Sequence, residues 1–571
     1  MLKDHQVNIK LLFCTAIITP LSFLIFACDG GSDDSDTVKS RYINRQEKDN
    51  TISYNDIKNT RGVYITSMCY TKTQDSITAE IFNPCYSCHT NGKVPNFYSD
   101  TALQMEYNFP LEVRTNPFTN LFKDRGIAVA AISNAVILEY VRQSNYFDGE
   151  GAITLDKALP ESWKGYRPDS YFNFDNEGFD HNKNNDYTGW RAFRYTPFLG
   201  TFWPTNGSTD DVLIRLDRPF REDPSGDFNL LVYKLNLAIV EAIVKDASIQ
   251  LPEAIDENLY GVDLNGDGVL TSTSRILPSV KSYVGRAKGK LNRQEIHLAK
   301  GLFPENTEFL HSVRYLDWND TSDSVQMSAR MKELRYAKKY TWSTYSELER
   351  VALAEQWEMQ SLDSNEAQLS VFRGDYEAGL KNEIGWVYQG FIEDKKGDLR
   401  PQTHEESIAC MGCHSHLGAT TDSVFAFPRK LEGIAKSKTD YGWNHWSQKG
   451  LAGIKEPRVK YKNIDEQYEY SFYLKNNHSG NEFRNNQEVI DKFFDQNGNI
   501  KPSMLQKLHN DISVLLLPSR SRALQLNKAY KVTVGEQSYI YGRDANIKPI
   551  SAVFETIKPE QKTGIRKPLV R

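Results

Sequence analysis

Hydrophobic spacing divides the chain into one apolar leader, several amphipathic stretches and long segments without any period. A predominantly apolar run from Leu11 to Phe26, without a charged residue, follows Lys3 and Lys10. It is short for a membrane-spanning helix and long enough for the core of an export signal. Further on, Val129, Ile132, Val136 and Tyr140 recur every three or four residues, which predicts a helix over about 125–143. The stretch 228–244 carries apolar residues on most sides, predicting a buried helix with Asp227 as its N-cap. Met327, Met331 and Leu334, followed by Leu348, Val351 and Ala352, predict helix across about 321–360. Two more helices are expected to begin near Pro502 and Ser519. From about 150 to 225 the period fades while aromatics, Gly, Asn and Asp crowd together, which predicts ordered loops. The fold class that follows is mainly α with extensive ordered loops and minor β.

The leader ends Ile25-Phe26-Ala27-Cys28, which resembles the lipobox of bacterial lipoproteins and makes Cys28 the expected lipidation site. Several acyl chains there, at about 0.8 kcal/mol per buried methylene, would anchor the chain permanently. The acidic, glycine-bearing stretch after Cys28 reads as a flexible tether. A formal net charge of −5 argues against nucleic acid as a partner. The basic residues near the C-terminus, from Lys558 to Arg571, read as a solvated tail. Hydrophobic content of 39% over 571 residues supports several domains' worth of core.

Two pentads carry the candidate chemistry: Cys85-Tyr86-Ser87-Cys88-His89 and Cys410-Met411-Gly412-Cys413-His414. Cys-x-x-Cys alone serves zinc sites and redox dithiols. With 11 histidines in the chain, an accidental His after both pairs has odds of roughly one in a few thousand, and the pentad is the spacing of covalent haem attachment. Cys85, Cys88, Cys410 and Cys413 are then expected to bind two haem c groups, with His89 and His414 as proximal iron ligands. Arg400, Arg429 and Lys430 surround the second pentad as expected partners for haem propionates. For the opposite iron face, His311 is the first candidate ligand, amid Phe309, Leu310, Val313 and Tyr315, and His297 the second. Cys69 is left over, with burial as the default reading. Asp263, Asn265, Asp267, Val269 and Thr271 follow the alternate-oxygen spacing of an EF-hand-like loop, so calcium is a further candidate cofactor, although Ser274 stands where a closing Glu belongs.

The pentads, the lipoprotein start and the calcium-like loop resemble bacterial di-haem c-type cytochromes, and distantly the di-haem cytochrome c peroxidase, MauG and rubber oxygenase group. The resemblance implies haem chemistry at the pentads and a periplasmic location. The expected organisation is a signal peptide over 1–27, a tether over 28–50, a first haem c region over 51–150, an aromatic loop-rich region with the calcium loop over 151–290, a second haem c region over 291–460, and a helical region with a basic tail over 461–571. The expected function is electron transfer at the cell envelope, through redox partner proteins, by a membrane-anchored chain. The alternative is a di-haem oxidoreductase of peroxidase or oxygenase type, with one exchangeable distal site.

Overall fold

Ten antiparallel strands, with helices packed around them, organise the chain, so the expectation of a mainly α protein is corrected. In the computed structural model the described residues are about 31% helical and 21% strand. They comprise 65–72, 83–96, 100–109, 111–199, 204–360, 373–375, 377–414, 417–432, 442–477 and 486–571. The signal peptide, the tether and Cys28 lie outside them. The described residues gather into one compact unit.

The strands are β1 (Phe179–His181), β2 (Tyr187–Phe193), β3 (Thr209–Asp210) and β4 (Val212–Arg215), then a separate pair, β5 (Ile249–Asp256) and β6 (Ser272–Ile276). After them come β7 (Glu308–Asn319), β8 (Ser324–Lys339), β9 (Arg373–Asp375), β10 (Gly379–Lys381), β11 (Trp386–Glu393) and β12 (Leu399–Pro401). The large sheet runs β1-β2-β4-β7-β8-β11-β10-β9, with β3 added to β7 and β12 to β11. The aromatic segment expected as loops therefore supplies β1 to β4. Its residues read as aperiodic because both faces of the sheet are covered. Phe193, Val212, Ile214 and Phe309 pack into one core, and Ala192, Leu213 and Leu310, their neighbours in sequence, into another.

The expected helix over 321–360 is a strand in its first half and a helix only over Tyr345–Gln360. Val313 pairs with Glu333 and Arg314 with Met331, so Lys332 is an extra, bulged residue in β8. The bulge turns Met331 and Leu334 to the same core although they are three apart. A strand with that defect imitates helical spacing.

Other helices form where the apolar period places them. Residues 125–143 give Gly126–Ala130 and Asn134–Arg142, broken where Ser133 caps the second. Leu230–Lys245 is buried nearly throughout, and its cap is Asn229, whose Oδ1 accepts from the amides of Leu231 and Val232 at 3.1 Å. Pro502–Asn510 and Arg520–Glu536 begin as expected, the latter capped by Ser519. Among the described residues no helix is long and apolar enough to cross a membrane.

The basic C-terminal stretch is docked rather than solvated. Val553 and Thr556 bridge to Thr71 and Thr115, Lys562 pairs with Glu106 at 2.5 Å, and the Leu569 amide donates to Gln104. The end of the chain is thereby pinned to the surroundings of the first pentad.

Candidate functional site

Each pentad is a tight turn at the end of a short helical piece. Cys85–Ser87 is one 3-10 turn entered through Pro84, and Asn83 Oδ1 accepts from the Cys85 amide at 2.6 Å. The His89 amide donates to the Cys85 carbonyl at 2.8 Å, which closes the turn. Tyr86 anchors it from below by packing among the C-terminal helices. The second pentad leaves the helix His404–Met411, whose start is a reciprocal capping box between Thr403 and Glu406. The amides of Cys413 and His414 both donate to the Cys410 carbonyl at 3.2 Å.

The fold brings the two segments together. Gly418 packs against the residue after His89 so closely that an added Cβ would lie 1.8 Å from the Thr90 carbonyl oxygen. Asn96 donates to the Leu417 and Thr420 carbonyls across the same seam. Beside it lies a cavity of about 990 Å³ whose walls include Cys88, Cys410, Cys413, His414 and His311. Cys85 and His89 are not on that wall. All five described cysteines are free thiols. Burial pushes Cys413 up to about 12 and raises Cys85 and Cys88 as well, and the proximity of Cys413 and then Cys69 adds to the rise at Cys88. Cys69, also raised by burial, is thus part of the same cluster of protonated thiols.

Both imidazoles are held at Nδ1. His89 Nδ1 meets the buried Asp100 carboxylate at 2.6 Å, and His414 Nδ1 donates to the Ser423 carbonyl at 2.9 Å. Burial lowers His414 to about 4, so it is neutral at neutral pH. In such an arrangement Nε2 carries the lone pair. His414 also rests against Tyr388, with ring centroids 4.7 Å apart. Asp100, Ser423 and Tyr388 had no signal in the sequence, since each reaches its imidazole through the fold and not through a recognisable spacing.

Of the two histidines expected at an opposite iron face, His311 stands on the cavity wall, 3.1 Å from Asp210. His297 is elsewhere, stacked on Trp342 at 4.1 Å and 3.5 Å from Glu305.

The cations expected for propionates are committed to the protein's own carboxylates. Arg400 forms a two-pronged pair with Glu406 at 2.8 and 2.9 Å, Arg429 pairs with Glu469 at 3.1 Å, and Lys430 with Glu241 at 2.9 Å. In the calcium-like loop the oxygens are used by backbone amides. Asp263 accepts from Gly266 and Gly268, Asn265 from Asp267, and Asp267 from Val269, all within 2.6–2.9 Å. Val269 and Thr271 complete a turn closed by Glu257, which accepts from the amides of Leu264 and Thr271. Among the described residues there is no group of three or more His, Cys, Asp or Glu side chains placed to hold a metal ion.

Residues 57–507 match a family described as "-like lipoprotein". The chain belongs to this lipoprotein family. It is 30% identical over 588 residues to a protein of Aquifex aeolicus (strain VF5) described as an uncharacterized lipoprotein, a match covering 93% of this chain and 91% of the relative. No solved structure matches the chain. Membership makes this a lipid-anchored envelope protein. It also corrects the resemblance to di-haem cytochromes and peroxidases, because no cytochrome c family matches. The two haem c groups lose their support with that resemblance and with the pairing of the arginines and lysine reserved for their propionates. Calcium is withdrawn because the loop spends its oxygens on its own amides.

Proposed function

We propose that this lipoprotein transfers electrons on the periplasmic side of the cell envelope, with Cys85, Cys88, His89, Cys410, Cys413 and His414 as the residues on which the redox centre depends. The observation that carries the reading is the convergence of two Cys-x-x-Cys-His segments, remote in sequence, across the Thr90–Gly418 contact and beside one large cavity. Ordinary thiol–disulfide exchange is disfavoured, since burial holds the Cys85, Cys88 and Cys413 thiols protonated and the exchanging nucleophile is a thiolate. The neighbouring cavity favours a second reading, an oxidoreductase that admits a small substrate beside His414 and His311.

The test is a potentiometric titration of protein extracted from envelope membranes. A reversible couple is expected in the wild type and is expected to vanish or shift when Cys85 and Cys88, or Cys410 and Cys413, are replaced by serine. A folded wild type with no couple anywhere in the range of envelope electron carriers overturns the proposal. Mass spectrometry of the two pentad peptides identifies what the sulfurs carry, whether thiols, a disulfide or a covalent adduct. Perturbation of the couple by small exogenous ligands would favour the oxidoreductase reading over the carrier.

A further inference from the structure

Successive residues of extended backbone point to opposite sides, and two consecutive pairs, one where β3 passes into β4 and one in β7, make use of it. Asp210 and His311 face the large cavity, where they bond to each other. Asp211 and Ser312, the next residue in each case, form a separate pair. Asp211 is fully buried, and it accepts from the Ser312 amide at 2.6 Å and the Ser312 hydroxyl at 2.7 Å. Its remaining partner is His445, whose Nε2 lies 2.9 Å from Asp211 Oδ2. On the far side of that imidazole Nδ1 meets the Ser447 hydroxyl at 2.7 Å.

The tautomer of His445 is dictated by its neighbours. A carboxylate at Nε2 requires a proton there, and the Ser447 amide, which donates to Nδ1 at 3.1 Å, requires a lone pair there. The ring is held in place by stacking on Phe174 at 4.4 Å and by Gln448, whose side chain accepts from the His445 amide. His445 is buried while Ser447 is exposed. Ser447 and His445 open on a second cavity of about 370 Å³, whose walls also include Phe172, Met327, Ser328 and Arg314. Arg314 is tied to the same network, its Nε donating to the Ser312 hydroxyl at 2.8 Å.

We propose that Ser447, His445 and Asp211 form a nucleophile, base and orienting carboxylate for the hydrolysis of small carboxylic esters, at a site distinct from the pentad cavity. The roles follow from the order of the hydrogen bonds: hydroxyl to imidazole, imidazole to carboxylate. Ser447 Oγ attacks the ester carbonyl while its proton passes to His445 Nδ1, and Asp211 stabilises the imidazolium through Nε2–H. The acyl C–O bond breaks, and the leaving alcohol takes the proton from Nδ1. Water then attacks the acyl-serine, giving its proton to Nδ1, and the carboxylic acid departs as that proton returns to Ser447. Arg314 supplies a positive charge on the cavity wall for the oxygen that becomes negative in both steps. The modest cavity sets the size of the acyl group.

The full lipidated chain in detergent is treated with a fluorophosphonate probe and, separately, with p-nitrophenyl acetate. Peptide mapping is expected to place the phosphonyl group on Ser447, and Ser447→Ala is expected to lose the adduct together with about 100-fold or more of the ester hydrolysis. Ser447 is exposed, so this variant is expected to melt with the wild type. Absence of the adduct from Ser447 in folded wild type, or an unchanged hydrolysis rate in Ser447→Ala, overturns the proposal.

Discussion

Lys332 shows how one residue can mislead a reader of the sequence and still matter to the molecule. As the bulged residue of β8 it leaves the strand ladder and inserts its ammonium between the rings of Tyr315 and Tyr530, at 5.0 and 4.2 Å. There it donates to the Gly207 carbonyl and the Ser208 hydroxyl. Burial lowers it to about 7. A base with a depressed folded pKa binds fewer protons folded than unfolded at any pH between that value and its ordinary one. Stability should therefore climb as pH rises from about 7 towards the ordinary lysine pKa of about 10.5, and be lowest and flat below about 7. Replacing Lys332 by Met keeps the stem and removes the charge. That variant is expected to gain on the order of 2 kcal/mol at about pH 6 relative to its difference from wild type at about pH 9. Urea unfolding at the two pH values measures this, and equal differences would refute the buried cation.

At the scale of elements, the helix His404–Met411 decides where the second pentad sits. Its start is over-determined: Thr403 Oγ1 accepts from the Glu406 amide at 3.0 Å, Glu406 accepts from the Thr403 amide at 2.8 Å, and Arg400 clamps the same carboxylate. The Arg400 and Arg543 charges, together with those hydrogen bonds, hold Glu406 below the usual carboxylate range even though its burial acts the other way. Thr403→Ala should destabilise the protein by about 1–2 kcal/mol. The loss should appear in denaturant unfolding, accompanied by faster amide exchange over 404–414. Exchange unchanged in that segment would mean the cap does not hold the pentad. Elements of this kind are legible in sequence when the cue is local, as with the starts at Pro502 and Ser519. The hairpin Glu308–Lys339 was not, because its bulge and its two covered faces erased the alternation that announces a strand.

For the molecule as a whole, Glu393 is the knot. Its carboxylate accepts from Tyr140 at 2.5 Å, Tyr315 at 2.6 Å and Arg330 at 2.8 Å, while its carbonyl accepts from Tyr539 at 2.7 Å. An early helix, the sheet's centre and the C-terminal segment thus meet on one buried acid. Glu393→Ala is expected to cost about 3–5 kcal/mol, since it strands the buried Arg330 and two hydroxyls. A loss below about 1 kcal/mol in a thermal or urea melt would show that these parts are held by apolar packing alone. The sequence by itself determined the lipoprotein start, the two Cys-x-x-Cys-His segments and the helices whose caps and apolar stripes are neighbours in the chain, because those signals act over a few residues. Only the tertiary structure decided that the sheet dominates, that the pentads share one seam, that the nearby cations are already paired, and that Asp211 reaches His445. Each of those depends on contacts between residues distant in sequence, for which no local period or spacing exists.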